Sequence, residues 1–209
     1  MKISIIIPSL PGYENLNDSA IEGFEDTKSL DVELEILLEE HDAPFGVNVN
    51  RGLRKAKGEI IVVSNNDVTP LPCWDSWIIS QAENGVVSFT PRPDCGWLWG
   101  TSREIQESIG EFDEKLVNSY EDYDYFIRAH LLGYPRILAD RPYALHQGGF
   151  TLNKVWKDDS VRLKQCFKNR EYMQKKWPGL DIDLVPSSYF SSHGVSIMRE
   201  WERKSLGVL

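Results

Sequence analysis

The chain has 209 residues and a mass of 24.0 kDa, room for one domain, or one domain with an appendage, rather than two of ordinary size. Hydrophobic residues make up 41% and charged residues 26%, the balance of a soluble globular protein and not of a disordered chain. A net charge of −9 argues against a protein whose main task is to grip bare nucleic acid or anionic lipid, while leaving room for a small basic pocket.

Lys2 precedes the short run Ile3-Ser4-Ile5-Ile6-Ile7, ended by Pro8, which reads as a strand buried on both faces rather than a signal peptide. Leu16 to Leu30 places Leu16, Ala20, Ile21 and Phe24 at helical spacing behind the candidate caps Asn15 and Asn17. Val32 to Leu38 alternates and then turns apolar, a second strand. Asn50 to Lys57 reads as a basic helix closed by Gly58, and Glu59 to Ser64 as another buried strand running into the polar turn Asn65-Asn66-Asp67.

Leu71 to Glu83 has helical spacing, Val86 to Thr90 reads as a strand, and Pro91 to Gly100 as an aromatic-rich loop. Arg103 to Ile109 is a short helix closed by Gly110, Tyr123 to Leu132 a helix stopped by Gly133, and Arg136 to Leu138 a short strand. Val155 to Lys176 is a basic amphipathic helix ended by Trp177-Pro178-Gly179, and the final ~30 residues carry no clear pattern. No apolar run reaches the roughly 18–20 residues needed to cross a bilayer. Cys73, Cys95 and Cys166 are odd in number and widely spaced, fitting neither a disulfide framework nor a zinc site. A reduced, cytoplasmic chain is expected, and the sequon at Asn17-Asp18-Ser19 then reads as coincidence.

Alternating strand and helix patterns with near-continuous apolar strands predict a mostly parallel sheet covered by helices. Ligands of such sheets bind beyond the carboxyl ends of the strands, here after Ile7, Leu38 and Ser64. Asp67 with its neighbouring amides suits a hard divalent cation that also touches phosphates, although Asn-Asn-Asp is equally ordinary turn chemistry. In Tyr120-Glu121-Asp122-Tyr123-Asp124 the crowded carboxylates favour a raised pKa and proton-accepting duty, but acids also gather at helix starts because the dipole favours them. His146, before Gln147-Gly148-Gly149, could approach a metal or phosphate, or be a satisfied structural residue as His41, His130 and His193 are expected to be. Trp97 and Trp99 could offer flat faces to a sugar or fill the core. Asn50-Arg51-Gly52 could meet a diphosphate or face solvent.

Taken in order, these pieces resemble a known family. Ile7-Pro8-Ser9, Asn50-Arg51-Gly52, Asn65-Asn66-Asp67-Val68, Gly110-Glu111-Phe112-Asp113-Glu114, Tyr120-Glu121-Asp122-Tyr123-Asp124 and His146-Gln147-Gly148-Gly149 together resemble the inverting family-two glycosyltransferases, particularly the rhamnosyltransferase-like branch. The resemblance implies an α/β GT-A fold, with a mostly parallel twisted sheet flanked by helices. Residues 1–152 would form the core and 153–209 a C-terminal helical extension packed on it. It implies a sugar nucleotide donor, Mn2+ or Mg2+, and single displacement to an acceptor hydroxyl on a glycan, a lipid-linked sugar or another molecule.

Position by position, it assigns Asp122 as catalytic base with Glu121 beside it, and Asp67 and His146 as metal ligands. Pro8, Ser9, Glu40, Asp42, Asn50, Arg51 and Asn66 fall on the donor side, and Trp97, Trp99, Gly100 and Asp124 on the acceptor or sugar side. The chain departs from the pattern where Glu39-Glu40-His41-Asp42 replaces an aspartate-rich turn, where the short region between Leu38 and Asn50 reduces the usual third strand to Gly46-Val47-Asn48, and where asparagines precede Asp67. The alternatives are a non-catalytic sugar- or nucleotide-binding module of the same fold and a nucleotidyltransferase. The latter lacks the glycine-rich, lysine-bearing loop it would need after the first strand. The acidic charge disfavours a nucleic-acid acceptor, although the basic stretch from Lys154 to Lys176 could serve one.

Overall fold

The structure, a computed structural model, describes residues 1–91, 96–147 and 158–180. Several expectations lie outside them: residues 92–95 of the aromatic loop, Gly148-Gly149, the start of the basic helix at 155–157, His193 and the tail.

In chain order the elements are β1 (Lys2–Ser9), α1 (Glu14–Thr27), β2 (Glu33–Glu40), α2 (Phe45–Lys55), β3 (Ile60–Ser64), β4 (Val68–Pro70), α3 (Trp74–Gln81) and β5 (Val86–Ser88). Then follow β6 (Leu98–Ser102), α4 (Arg103–Ile109), α5 (Glu121–Leu131), β7 (Arg136–Ile137), β8 (Ala144–His146) and α6 (Asp159–Lys176). The main sheet runs β2-β1-β3-β6-β5-β7, and β4 and β8 form a separate antiparallel pair. β1 pairs in parallel with β2 and β3, and β5 with β7; only β6 runs against its neighbours. The sheet is mostly parallel, as expected.

The β-branched strands dictate a layer on each face because successive side chains point oppositely. Ile3, Ile5 and Ile7 join Ile60 and Val62 beneath Ala20 and Phe24 of α1 and Trp74 and Ile78 of α3. Ile6, Ile61 and Val63 face the other way, toward Val49 of α2, Ile105 and Ile109 of α4, Tyr125 of α5 and Met173 of α6. Gly52 lets α2 approach the sheet, since a β-carbon there would overlap Ile6 Cγ2.

Several boundaries differ from the sequence reading. Gly46-Val47-Asn48 is not a reduced strand but the first turn of α2, which begins at Phe45 after Pro44. The aromatic loop ends early, because Leu98–Ser102 continues as the central antiparallel strand β6, with Ser64 opposite Leu98. α5 starts at Glu121, so the acidic residues lie in its first turn behind Tyr120, whose φ is 69°. The basic helix α6 packs on the core through Met173 and, beyond its end, Trp177 and Leu180.

Candidate functional site

The carboxyl ends of β1, β2 and β3 open into a cavity of about 1090 Å³. Its walls come from Pro8 to Pro11 at and just beyond the end of β1, Asp42 to Phe45 after β2, Asn65 and Asn66 after β3, Gly96 and Trp97 before β6, residues 118–123 around the start of α5, His146 and Cys166. Because β6 runs backwards, its first residues sit at the same end as the last residues of the parallel strands.

Behind the β1 end is a buried amide network. Asn66 Nδ2 donates to Ser9 Oγ (3.1 Å) and Asn17 Oδ1 (3.0 Å), and Asn17 Nδ2 donates to Glu40 Oε2 at 2.9 Å. Asn17 is 1% exposed, so its sequon nitrogen is committed to this network. Asn48 Nδ2 donates to the carbonyls of Ser9 and His41 (3.2 and 3.0 Å), tying the loop after β2 to the end of β1. These bonds fix the floor of the cavity.

On a second wall, His146 Nε2 lies 2.9 Å from Asp67 Oδ1, and the imidazole stacks on Trp97 with centroids 4.7 Å apart and planes 11° from parallel. Asp67 is buried and reaches the cavity through His146 rather than lining it directly. Asn65 Nδ2 sits 3.5 Å from the same His146 nitrogen, and Asn65 N donates to Trp97 O. An oxygen and a nitrogen donor side by side fit one divalent ion with Asp67 and His146 as protein ligands. Among the described residues no three His, Cys, Asp or Glu side chains gather as a metal-holding group.

A third wall is the start of α5. Asp122 accepts the Tyr123 N–H at 2.9 Å, and a β-carbon on Gly96 would overlap Asp122 Oδ2, so the loop before Trp97 lies directly against this carboxylate. Glu121 is buried, and its Oε2 has no hydrogen-bond partner among the described residues. Burial, reinforced by the charge of Asp122, pushes its carboxyl up to about 8. Burial also raises Asp122, opposed by the Tyr123 N–H and the Arg136 cation.

The remaining sequence candidates are placed elsewhere. Asn50 is a clamp: its Nδ2 donates to Phe112 O and Glu114 Oε1 (both 3.0 Å), while its Oδ1 accepts the Phe112 N–H at 2.8 Å. Arg51 is half-buried on α2 and does not line the cavity. Glu40 supports Asn17 from behind the wall. Trp99 is fully buried, its ring 4.6 Å from that of Tyr125, because it lies on β6 facing the helices. Gly100 faces Val62 beneath Ile78 of α3, where a side chain would not fit. Asp124 is fully buried and bonded to Arg128 (3.0 Å), Lys176 (2.7 Å) and Trp177 (3.0 Å), which locks α6 to α5. Pro8, Ser9, Asp42, Asn66, Trp97, His146, Glu121 and Asp122 do share the cavity. Sequence reasoning missed Tyr13, Asn48 and residues 118–120; only a polar residue at a buried helical position could have signalled Asn48.

Neither a protein-family model nor a curated protein matches the sequence. Solved structures do match. A mannosyltransferase from Pyrobaculum calidifontis, in complex with GDP-Man and Mn2+, is 16% identical, with a TM-score of 0.59 over 98% of this chain and 75% of that one. The chain has the GT-A fold. The catalytic domain of Drosophila beta1,4galactosyltransferase 7, in complex with xylobiose, shares this GT-A architecture at 12% identity, with a TM-score of 0.56 over 71% of each chain. Glucosyl-3-phosphoglycerate synthase from Mycobacterium tuberculosis, in complex with Mg2+ and UDP, is 17% identical, with a TM-score of 0.52 over 79% of each chain. At these identities the likeness is one of GT-A fold. No helix among the described residues is long and apolar enough to cross a membrane.

Proposed function

We propose that the chain is a metal-dependent, inverting glycosyltransferase of the rhamnosyltransferase-like branch, moving a sugar from a nucleoside diphosphate to an acceptor hydroxyl by single displacement. The carrying observation is that one cavity is lined both by His146, bonded to Asp67, and by Asp122. The GDP-Man and Mn2+ bound to the Pyrobaculum mannosyltransferase, and the Mg2+ and UDP bound to the Mycobacterium synthase, support the same donor chemistry here.

Asp67 and His146 would hold the divalent ion, which when bound supplies positive charge for the departing diphosphate. Pro8, Ser9, Asp42 and the amide-braced Asn66 would seat the donor, with Trp97 beside the sugar. Asp122 is the base: as the acceptor oxygen bonds to the anomeric carbon, the bond from that carbon to the diphosphate oxygen breaks. The bonding pair leaves with the diphosphate, and the hydroxyl proton passes to Asp122. Burial raises its proton affinity, which suits this task. Glu121, pushed up to about 8 by burial and the Asp122 charge, takes up a proton more readily than an ordinary carboxyl. The backbone N–H of Tyr123 orients the base.

We assign residues 1–152 to the catalytic core, with 153–209 as its extension, and the odd, spread cysteines support a cytoplasmic setting. Thermal shifts with UDP and GDP, with and without Mn2+, test the donor site: one nucleotide should raise Tm only with the metal. No shift with either would refute it. A second reading, a binding module without turnover, draws support from the amides of Asn65 and Asn66 in place of carboxylates. Release of nucleoside diphosphate from any donor would eliminate it.

A further inference from the structure

α6 divides two environments. Its inner face carries Asn169, Met173 and Lys176 into the body of the protein, and Cys166 lines the cavity. Its outer face carries Leu163 and Phe167, one helical turn apart, 54% and 61% exposed. Beside them stand the exposed lysines Lys164, Lys168 and Lys175, and no described carboxylate pairs with any of the three. Over Asp159–Lys176 six cations oppose two carboxylates, in a chain whose net charge is −9. The acidic whole hides a local basic, apolar-tipped stripe.

We propose that the outer face of α6 is a docking surface for an anionic lipid bilayer. Leu163 and Phe167 enter the headgroup region while Lys164, Lys168 and Lys175 meet lipid phosphates. Exposed leucine and phenylalanine add nothing to contact with a nucleic-acid backbone, and an isologous dimer through this face would set the lysine rows against each other. A lipid surface satisfies both halves of the stripe. Because the same helix contributes a wall to the cavity, docking brings that cavity to the membrane surface, where an acceptor anchored in lipid would be presented.

The test is co-sedimentation of the full chain with vesicles of phosphatidylcholine alone and of equal parts phosphatidylcholine and phosphatidylglycerol. The chain should bind the anionic vesicles and leave the neutral ones in the supernatant. Leu163→Ser with Phe167→Ser, and separately Lys164→Glu with Lys168→Glu, should each lower partitioning by about tenfold or more, at unchanged Tm because all four side chains are exposed. Lys164→Arg with Lys168→Arg should retain it. Lys57→Glu, at the opposite end of the strands from the cavity, should also retain it despite the same charge change per residue. Failure of the parent to bind anionic vesicles, equal binding to neutral ones, or binding undiminished by either pair would overturn the proposal. So would a dimer in sedimentation equilibrium that the Leu163 and Phe167 substitutions dissolve.

Discussion

His146 Nε2 lies 2.9 Å from Asp67 Oδ1, joining residues 79 positions apart where β8 pairs with β4. Val68, the residue after Asp67, is the register partner of His146, so the small second sheet is what brings these two potential ligands together. Replacing either should uncouple nucleotide binding from manganese. His146→Ala is expected to weaken Mn2+-dependent binding of the nucleoside diphosphate by at least about tenfold. Isothermal titration with and without metal checks this; an unchanged metal dependence would remove His146 from the site.

Gly96 packs so closely on Asp122 that any side chain must move the carboxylate. Gly96→Ala is therefore expected to reduce turnover sharply while leaving donor affinity and Tm nearly intact, since the Asp122 side chain can rotate away at little cost. A matched measurement of kcat, donor Kd and Tm separates this from a folding defect. Unaltered turnover would show that the position of Asp122 is not critical.

Glu121 links pH to stability. Its carboxyl titrates near 4.5 when unfolded and is pushed up to about 8 in the fold, so the native state binds a proton that the unfolded chain has lost. That contribution is complete below the unfolded value and disappears as pH rises through the folded one. Glu121→Gln keeps the neutral form at every pH. Its Tm should therefore gain on the parent's between pH 5 and 8, by at least about 3 °C at the upper end. Parallel melting curves for the two proteins would contradict the assignment.

Asp124 is structural. Its fully buried carboxylate holds Lys176 of α6 and Arg128 of its own helix; removing it leaves Lys176 with Asp113 and Arg128 with the carbonyls of Ile109 and Glu111, but takes from each its buried partner. Asp124→Ala should cost roughly 1–3 kcal/mol, a Tm loss of about 2–12 °C for a chain of this size. The variant that remains folded should bind nucleotide normally. A loss of acceptor affinity with unchanged Tm would instead favour a direct sugar contact.

The contrast between Asp122 and Asp124 shows what the sequence can carry. The apolar runs of β1 and β3 specified strands buried on both faces, and a crevice at their carboxyl ends followed from parallel pairing. Asp122 and Asp124 share one helical turn, yet one faces the cavity and the other is committed to Lys176, because α5 presents them on different faces. Which face is which depends on where α6 docks, information that lies 53 positions away at Trp177 and in its neighbour Lys176. Asn50 and Phe112 make the same point. Two segments that read as separate signatures are a single hydrogen-bonded clamp, so part of the pattern reports scaffold rather than chemistry. Trp97 and Trp99 would share a face if both lay in the strand, but β6 begins at Leu98, so Trp97 sits in the loop before it, stacked on His146, while Trp99 is buried against Tyr125.

The most direct measurement is nucleoside diphosphate release from a panel of UDP- and GDP-sugars with Mn2+, comparing the parent with Asp122→Asn in the presence of candidate hydroxyl acceptors. The parent should release the diphosphate in step with sugar transfer. The variant should lose at least about a hundredfold in rate while its Mn2+-dependent nucleotide affinity stays within a factor of about two. Equal rates for the two proteins would contradict the role given to Asp122, and release of pyrophosphate in place of nucleoside diphosphate would contradict glycosyl transfer itself.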